Sequence, residues 1–201
     1  MLRREAVAAL IAASERARAL TVVTEQCIGA WRQAVDYPLN GIPDHLEIVG
    51  AMGSASSIGL GLALAQPART VIVVDGDGSL LMQLGSLVTI AGAAPPRLVH
   101  IVFENGVYET SGSQPLPGEG RFDLPEMARA AGYAHVARYD AAPTFAADLP
   151  DLLRRTGPVF VSVRTTPEDG YLVRSSAGTK LDQQFEAQRE RLVAPASPPA
   201  G

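Results

Sequence analysis

The fold of this chain is indicated by one stretch, Thr70-Val71-Ile72-Val73-Val74-Asp75-Gly76-Asp77-Gly78-Ser79. Residues 70–74 form a continuous, mostly β-branched run, which is typical of a central parallel strand covered by helices on both faces. The glycines that follow let the backbone approach a ligand closely, and a helix is predicted to begin around Ser79. The stretch therefore predicts an α/β fold with a ligand site where this strand ends.

Strands and helices alternate on both sides of that stretch. Before it, the sequence predicts an N-terminal amphipathic helix, a strand at 20–24, a loop at 36–47 and a helix at 54–65. After it, the predicted order is helix (Leu80 to about Ala91), strand (98–103), loop (109–121), helix (123–131), strand (133–138), helix (144–155), strand (158–164), a polar loop and a last helix near 181–193. This alternation predicts a doubly wound, mainly parallel sheet with helices on both faces. One domain at 1–193 is expected, with a disordered tail at 194–201.

The helix predicted at 54–65 is built from small residues and contains Gly59 and Gly61. Glycine weakens an isolated helix because it has the greatest conformational freedom in the unfolded chain. Close packing against a neighbouring backbone is therefore expected to compensate for these two residues.

Composition narrows the class of protein. The 201 residues carry a formal net charge of −4, and no basic stripe is visible, so nucleic acid is not an expected partner. No apolar run is long enough to cross a bilayer, and the short apolar stretch near the start carries Glu5 and lacks a convincing cleavage site. The single cysteine, Cys27, excludes an internal disulfide and fits a reducing compartment. A cytoplasmic protein without a membrane segment is expected.

Two polar residues follow neighbouring predicted strands. Asp77 lies between two glycines, where it would repel a phosphate at the following helix unless a cation lay between them. Asn105 lies one helix and one strand later, so both side chains can meet at adjacent strand ends. A carboxylate, an amide oxygen, a backbone carbonyl and phosphate oxygens would form an all-oxygen magnesium shell. Asp and Asn are also common turn residues, so the surrounding sequence must decide between the two interpretations.

Ordered blocks around these residues resemble a known family. The blocks are Gly50-Ala51-Met52-Gly53-Ser54-Ala55-Ser56-Ser57-Ile58-Gly59-Leu60-Gly61, Gly76-Asp77-Gly78-Ser79 and Glu104-Asn105-Gly106-Val107-Tyr108-Glu109-Thr110-Ser111-Gly112-Ser113-Gln114-Pro115. They resemble the thiamine diphosphate-dependent enzymes and are most similar to the sulfopyruvate and phosphonopyruvate decarboxylases. The resemblance covers roughly residues 1–190, and several ordered blocks are more specific than one motif.

The resemblance implies a magnesium site. The side chains of Asp77 and Asn105 and the carbonyl of Val107 would be the ligands. The family usually has two asparagines where this chain has Glu104-Asn105, and the second of them is the ligand. Glu104 therefore departs from the pattern, and its effect on the local charge stays open.

The resemblance also implies a thiamine diphosphate site. Gly76, Gly78 and Ser79 would lie at the diphosphate, with Gly78 and Ser79 in contact with it. The carbonyl of Gly50 would accept a hydrogen bond from the aminopyrimidine, and Met52 would hold the two rings of the cofactor in a bent arrangement. Methionine is also a common core filler, which is the alternative for Met52.

Three other side chains are considered for a role in the site: Cys27, His100 and Arg121. Cys27 is interpreted as a small buried hydrophobe, because no basic partner is evident near it in the sequence. His100, in the middle of a predicted strand, is interpreted as a packed core residue. Arg121 is a candidate for binding an anionic substrate group, by its position in a loop alone.

Enzymes of this family also use a second domain type, which holds the pyrimidine and supplies the glutamate that protonates its N1′ atom. The blocks of this chain match only the diphosphate-binding type, and 201 residues leave no room for the second. The resemblance therefore implies one subunit of a split 2-oxoacid decarboxylase, with no catalytic residue of its own and a pyrimidine-binding, α-type partner in a homo- or hetero-oligomer. An acetolactate synthase-like carboligase and a non-catalytic cofactor-binding subunit are the alternatives, and the sequence does not name the 2-oxoacid.

Overall fold

The computed structural model describes residues 1–34, 44–168 and 181–193. The helices in these ranges are α1 (Arg3–Ala17), α2 (Glu25–Ala34), α3 (Ala55–Ala65), α4 (Asp77–Met82), α5 (Ser86–Ala93), α6 (Leu124–Ala131), α7 (Ala142–Leu152) and α8 (Leu181–Val193). The strands are β1 (Leu20–Thr24), β2 (His45–Ile48), β3 (Val71–Gly76), β4 (Leu98–Glu104), β5 (Val107–Tyr108), β6 (Gln114–Pro115), β7 (His135–Tyr139) and β8 (Val159–Arg164). A short 3-10 turn occupies Glu109–Ser111.

Six strands form one sheet in the order β2-β1-β3-β4-β8-β7, and every neighbouring pair is parallel. Strands β5 and β6 form a separate two-stranded antiparallel hairpin. The chain turns back between β1 and β3, since β2 lies on one side of β1 and β3 on the other. The predicted doubly wound α/β fold is confirmed, and such a reversal point is where ligands bind in open parallel sheets.

The sheet is covered on both faces, which explains the unbroken apolar run of β3. Ile72 and Val74 pack in a cluster with side chains of α1, α2 and α7. Val71 and Val73 point the opposite way, into a cluster with α3, α5 and α6. Alternate side chains of a strand face opposite sides of a sheet, so a strand between two helical layers is apolar at every position.

Several elements differ from the sequence prediction. Helix α2 lies where the sequence pattern predicts no helix, and β2 occupies residues 45–48, which overlap the end of the predicted 36–47 loop. Residues 36–43 of that loop, residues 169–180 of the polar loop predicted after the last strand, and the predicted tail at 194–201 lie outside the described residues. Strand β2 is a four-residue edge strand paired only with β1 among the described residues, and so short a segment carries little periodic signal.

The single helix predicted from Leu80 to about Ala91 is two helices. Helix α4 begins at Asp77 and ends at Met82, and α5 begins at Ser86. Turn hydrogen bonds from the Gln83 and Ser86 N–H groups separate them. The early start of α4 is important for the site, because it places Asp77 at the junction of strand and helix.

No helix in the described parts of the chain is both long and apolar enough to cross a membrane.

The two glycines inside α3 have different surroundings. A Cβ atom at Gly59 would lie 2.1 Å from Cγ2 of Val73, whereas a Cβ at Gly61 would meet nothing within 4 Å. The expected close packing therefore exists at Gly59, against a β3 side chain, and does not exist at Gly61.

This contrast gives a matched pair of substitutions. Gly59→Ala should destabilise the protein by about 1–3 kcal/mol, because the new methyl group displaces the stiff Val73 side chain. Gly61→Ala should stabilise it by roughly 0.5–1 kcal/mol through helix propensity. Urea unfolding of both variants is the measurement, and equal effects would contradict the packing difference.

Candidate functional site

A cavity lies across the carboxyl ends of β1, β3 and β4. Seven of the eight candidate site residues line it: Met52, Gly76, Asp77, Gly78, Ser79, Asn105 and Val107. Gly50 is not among the lining residues; it lies two residues before Met52, which does line the cavity, and has a φ of +71°. The residues that the sequence singled out at separate points are thus neighbours in space, with Gly50 at the margin.

Asp77 is the centre of this arrangement, and it is 4% exposed. Its Oδ2 atom accepts hydrogen bonds from the N–H groups of Asn105 at 2.9 Å and Gly106 at 2.8 Å. Its Oδ1 atom accepts one from Gly78 at 2.8 Å. One carboxylate therefore joins the beginning of α4 to the chain that leaves β4.

Burial dominates the acidity of this carboxyl group. Desolvation raises the pKa of Asp77 to about 6, although the backbone hydrogen bonds from Gly106, Gly78 and Asn105 oppose the rise. The charge of Glu104 contributes to the increase. A buried anion without a cation is costly, so this position favours the binding of a metal ion.

Asn105 and Val107 complete a set of oxygen atoms. Asn105 Oδ1 accepts a hydrogen bond from the Val107 N–H at 3.0 Å, which fixes the peptide group between Gly106 and Val107. Gly106 has a φ of +77°, and its carbonyl accepts the Leu116 N–H at 3.0 Å, so the turn is held from both sides. A carboxylate, an amide oxygen and a main-chain carbonyl are hard ligands of the kind that suits Mg²⁺.

The chemistry of this donor set fits a metal shared with phosphate. Among the described residues there is no group of three or more His, Cys, Asp or Glu side chains that could enclose a metal. Mg²⁺ is usually bound through one or two carboxylates together with substrate phosphates. Asp77, the first residue of α4, matches that pattern, whereas Glu109, the other carboxylate that lines the cavity, is paired with Arg3.

The turn around Met52 is fastened to α4. Ser79 Oγ accepts a hydrogen bond from the Gly53 N–H at 2.9 Å, which leaves the hydroxyl proton of Ser79 available for donation. Met52 is half-buried and lines the cavity. Gly78 lies beneath the ring of Tyr108, where a Cβ atom would be 2.6 Å from a ring carbon, so a residue without a side chain is required.

Glu104 and Arg121 are not among the residues that line the cavity. Ser162 Oγ donates a hydrogen bond to Glu104 Oε1 at 2.5 Å, so the carboxylate that replaces the family's first asparagine is held against β8. Arg121 is exposed and is not among the lining residues. Its position gives no support to a role in binding a substrate anion.

Cys27 and His100 are packed as interpreted from the sequence. Cys27 is buried at the cavity wall, and burial raises the pKa of its thiol to about 12, so it is an uncharged thiol at neutral pH. His100 is fully buried, with Nδ1 3.3 Å from the Tyr133 hydroxyl and Nε2 3.6 Å from Asp75 Oδ2. Asp75 itself accepts hydrogen bonds from Thr24 and from the Gly76 N–H.

Some lining residues were not found from the sequence. They are Arg3, Thr24, Cys27, Phe103, Tyr108, Glu109 and Thr110. Tyr108 and Glu109 lie inside a block that resembles the family, so they could have been named. Arg3 lies next to Arg4 in an ordinary amphipathic helix, and no local pattern distinguishes the two arginines.

The chain belongs to the family described as "Thiamine pyrophosphate enzyme, C-terminal TPP binding domain", which matches residues 27–163. The resemblance stated from the sequence blocks is thereby confirmed. The matched range contains every candidate site residue, while α1 and β1 precede it.

Individual relatives agree with this assignment. The chain is 44% identical over 131 residues to phosphonopyruvate decarboxylase of Streptomyces viridochromogenes. This match covers 65% of this chain and 32% of that protein. It is 44% identical over 133 residues to sulfopyruvate decarboxylase subunit beta of Methanothermobacter thermautotrophicus, covering 65% of this chain and 67% of that subunit. The chain thus spans about a third of the first relative and two thirds of the second.

A solved structure supports the fold alone. The 2-oxoglutarate:ferredoxin oxidoreductase from Magnetococcus marinus superposes with a TM-score of 0.66 at 16% identity. The match covers 94% of this chain and 84% of that chain.

The acidity of Asp77 predicts a pH dependence of the metal-free protein. The folded state holds a proton on Asp77 up to about pH 6, whereas the ordinary value is 3.8. The stability that this proton gives to the folded state is therefore fully present below pH 3.8 and is lost as the pH rises through about 6. Relative to Asp77→Asn, which does not titrate, wild-type stability should fall by up to about 3 kcal/mol across that range.

Urea unfolding of both proteins at a series of pH values is the measurement. Taking the difference removes the contributions of all other titrating groups. A difference that stays constant between pH 4 and 7 would show that the carboxyl group is not desolvated in the folded protein.

Proposed function

We propose that this chain is the diphosphate- and magnesium-binding subunit of a split thiamine diphosphate-dependent 2-oxoacid decarboxylase. The observation that carries the proposal is the meeting of Asp77, Asn105 and Val107 at one edge of the sheet. Membership of the thiamine pyrophosphate family supports it. The names of the two relatives, phosphonopyruvate decarboxylase and sulfopyruvate decarboxylase subunit beta, favour a 2-oxoacid with an anionic group at its other end.

In this proposal Mg²⁺ is held by the carboxylate of Asp77, the amide oxygen of Asn105 and the carbonyl oxygen of Val107. The ion replaces the solvent that the buried carboxylate lacks, and it neutralises charge on the diphosphate. The hydrogen bonds from Asn105 and Gly106 to Asp77 hold the ligand loop before the ion arrives. This preorganisation reduces the ordering cost of binding.

The same cavity would hold the cofactor. Gly76, Gly78 and Ser79 would lie at the diphosphate, Gly50 would accept a hydrogen bond from the aminopyrimidine through its carbonyl, and Met52 would support the bent arrangement of the rings. Bound thiamine diphosphate supplies the carbanion and the electron sink that decarboxylation requires. The chain's own residues orient the cofactor and exclude water from one side of it.

A pyrimidine-binding partner would complete the site by supplying the activating glutamate. The name "subunit beta" of the Methanothermobacter relative supports a divided enzyme. We further propose that residues 1–193 act as one cofactor-binding domain within a homo- or hetero-oligomer. A cytoplasmic location stays a prediction from the sequence.

Two other functions give different products. A carboligase would condense the decarboxylated fragment with a second carbonyl compound and release a 2-hydroxyketone, whereas a decarboxylase releases an aldehyde. A non-catalytic cofactor-binding subunit would release neither. Product analysis of the complex with its partner therefore discriminates among the three.

The metal site is tested by Asp77→Ala. This variant should lose at least about 100-fold in magnesium-dependent affinity for thiamine diphosphate, because it removes the sole carboxylate of the proposed shell. Isothermal titration with and without Mg²⁺ is the measurement, and circular dichroism checks the fold. Asp151→Ala, at a 71% exposed position, is the control and should bind as the wild type does. Unchanged affinity in Asp77→Ala would remove the metal site.

The divided active site is tested with the purified chain alone. Given Mg²⁺ and thiamine diphosphate in excess, it should release carbon dioxide from 2-oxoacids at least about 100-fold more slowly than the complex, because the general acid is on the partner. Adding a matching pyrimidine-binding subunit should restore release of carbon dioxide and aldehyde. Rapid turnover by the 201-residue chain without a partner would contradict the split enzyme.

A further inference from the structure

The first turn of α1 reaches the candidate cofactor cavity. Arg3 is 1% exposed and is one of the residues that line the cavity. It lies outside residues 27–163, the range that matches the family, so family membership assigns it no role. Its neighbour Arg4 is exposed and points away from the core.

Within the described part of the chain, Arg3 is paired with Glu109. The Nη2 group of Arg3 donates to Glu109 Oε1 at 2.7 Å and to Oε2 at 2.6 Å, and the Glu109 side chain is 5% exposed. The N–H group of Glu168 donates to Glu109 Oε1 at 2.9 Å. Glu109 therefore joins three parts of the chain: α1, the loop after β4 and the segment after β8.

Glu109 lies close in sequence to the proposed metal ligands. It is two residues after Val107, in the 3-10 turn that follows β5, and so belongs to the same loop region after β4 as Asn105. Beyond it, residues 110–115 are exposed, and Leu116 is the next buried side chain. The pairing of β5 with β6 gives the loop its internal shape. Two side-chain contacts with distant parts of the chain then fix its position on the sheet: Asp77 at the start of the loop, and Arg3 through Glu109.

Stability alone is a weak explanation for such a pair. A buried ion pair gains little over well-packed apolar side chains, because both charges must leave water. Groups that orient metal ligands, in contrast, typically change metal affinity about 10-fold to 100-fold when they are removed. Glu109 is two residues after Val107, so the Arg3–Glu109 pair can orient the proposed ligands through the backbone of the loop that it shares with them.

We propose that Arg3 is a positioning residue that, through Glu109, holds the loop of Asn105 and Val107 in its metal-binding conformation and so sets the affinity for Mg²⁺. This inference rests on the proposed function of the cavity. It extends the cofactor site to α1 and assigns Glu109 the same task from the loop side.

The test is the Mg²⁺ concentration that gives half-maximal thiamine diphosphate binding, measured on the full chain by calorimetry at fixed cofactor concentration. Arg3→Met should raise this concentration about 10-fold to 100-fold, while cofactor affinity at saturating Mg²⁺ returns close to that of the wild type. Arg4→Met removes the same guanidinium group one residue away and should leave the value unchanged. A purely structural role would lower the melting temperature or the fraction of competent protein without moving the Mg²⁺ midpoint.

Two further variants keep the inference open to failure if Arg3→Met does not fold. Glu109→Gln should raise the Mg²⁺ midpoint in the same direction, and Arg3→Lys should restore part of the loss. In the double variant Arg3→Met/Glu109→Gln the two effects on the Mg²⁺ midpoint should not add, because both substitutions break the same Arg3–Glu109 contact. If the wild type shows no magnesium-dependent binding, the proposed function itself fails. If it binds but Arg3→Met and Glu109→Gln match Arg4→Met, only the role of Arg3 fails.

Discussion

The buried carboxylate of Asp77 is the interaction on which the site depends. It accepts backbone hydrogen bonds from Gly78, Asn105 and Gly106, and these contacts bring the start of α4 and the exit from β4 together. The three bonds recover part of the cost of desolvating the charge, yet the pKa of the group still rises to about 6. Under the proposed function, a cation beside this carboxylate would remove the remaining cost.

The parallel sheet determines where this chemistry can occur. Strands β1, β3 and β4 are buried on both faces by two layers of helices, and their carboxyl ends lie at one edge. A loop there can expose its carbonyl and N–H groups to a ligand without disturbing the core. The reversal of the chain between β1 and β3 separates the helices at that edge, and the cavity fills the gap that results.

Local patterns predicted the strand-rich core and the meeting of Asp77 with Asn105, and the resemblance to a family supplied the other candidate site residues. Long-range contacts account for the lining residues that were missed. Strand β3 and its glycine-rich exit are strong signals, because the apolar run, the glycines and Asp77 all lie within ten residues. The short edge strand β2 and helix α2 carry no such signal. The double hydrogen bond of Arg3 with Glu109 spans 106 positions, so no window of sequence could distinguish Arg3 from Arg4. Ser162 likewise holds Glu104 from a strand that is distant in sequence.

The cost of ionising the buried Asp77 also links the lifetime of the folded chain to the supply of its ligand. Under the proposed function, Mg²⁺ and cofactor bind the folded state alone and stabilise it in proportion to the logarithm of their concentration. A cell poor in thiamine would hold more of the protein in its metal-free form, in which the buried charge is uncompensated. Unfolded molecules are the ones that proteases degrade, so such a chain would be removed faster when its cofactor is scarce and would accumulate when it is plentiful.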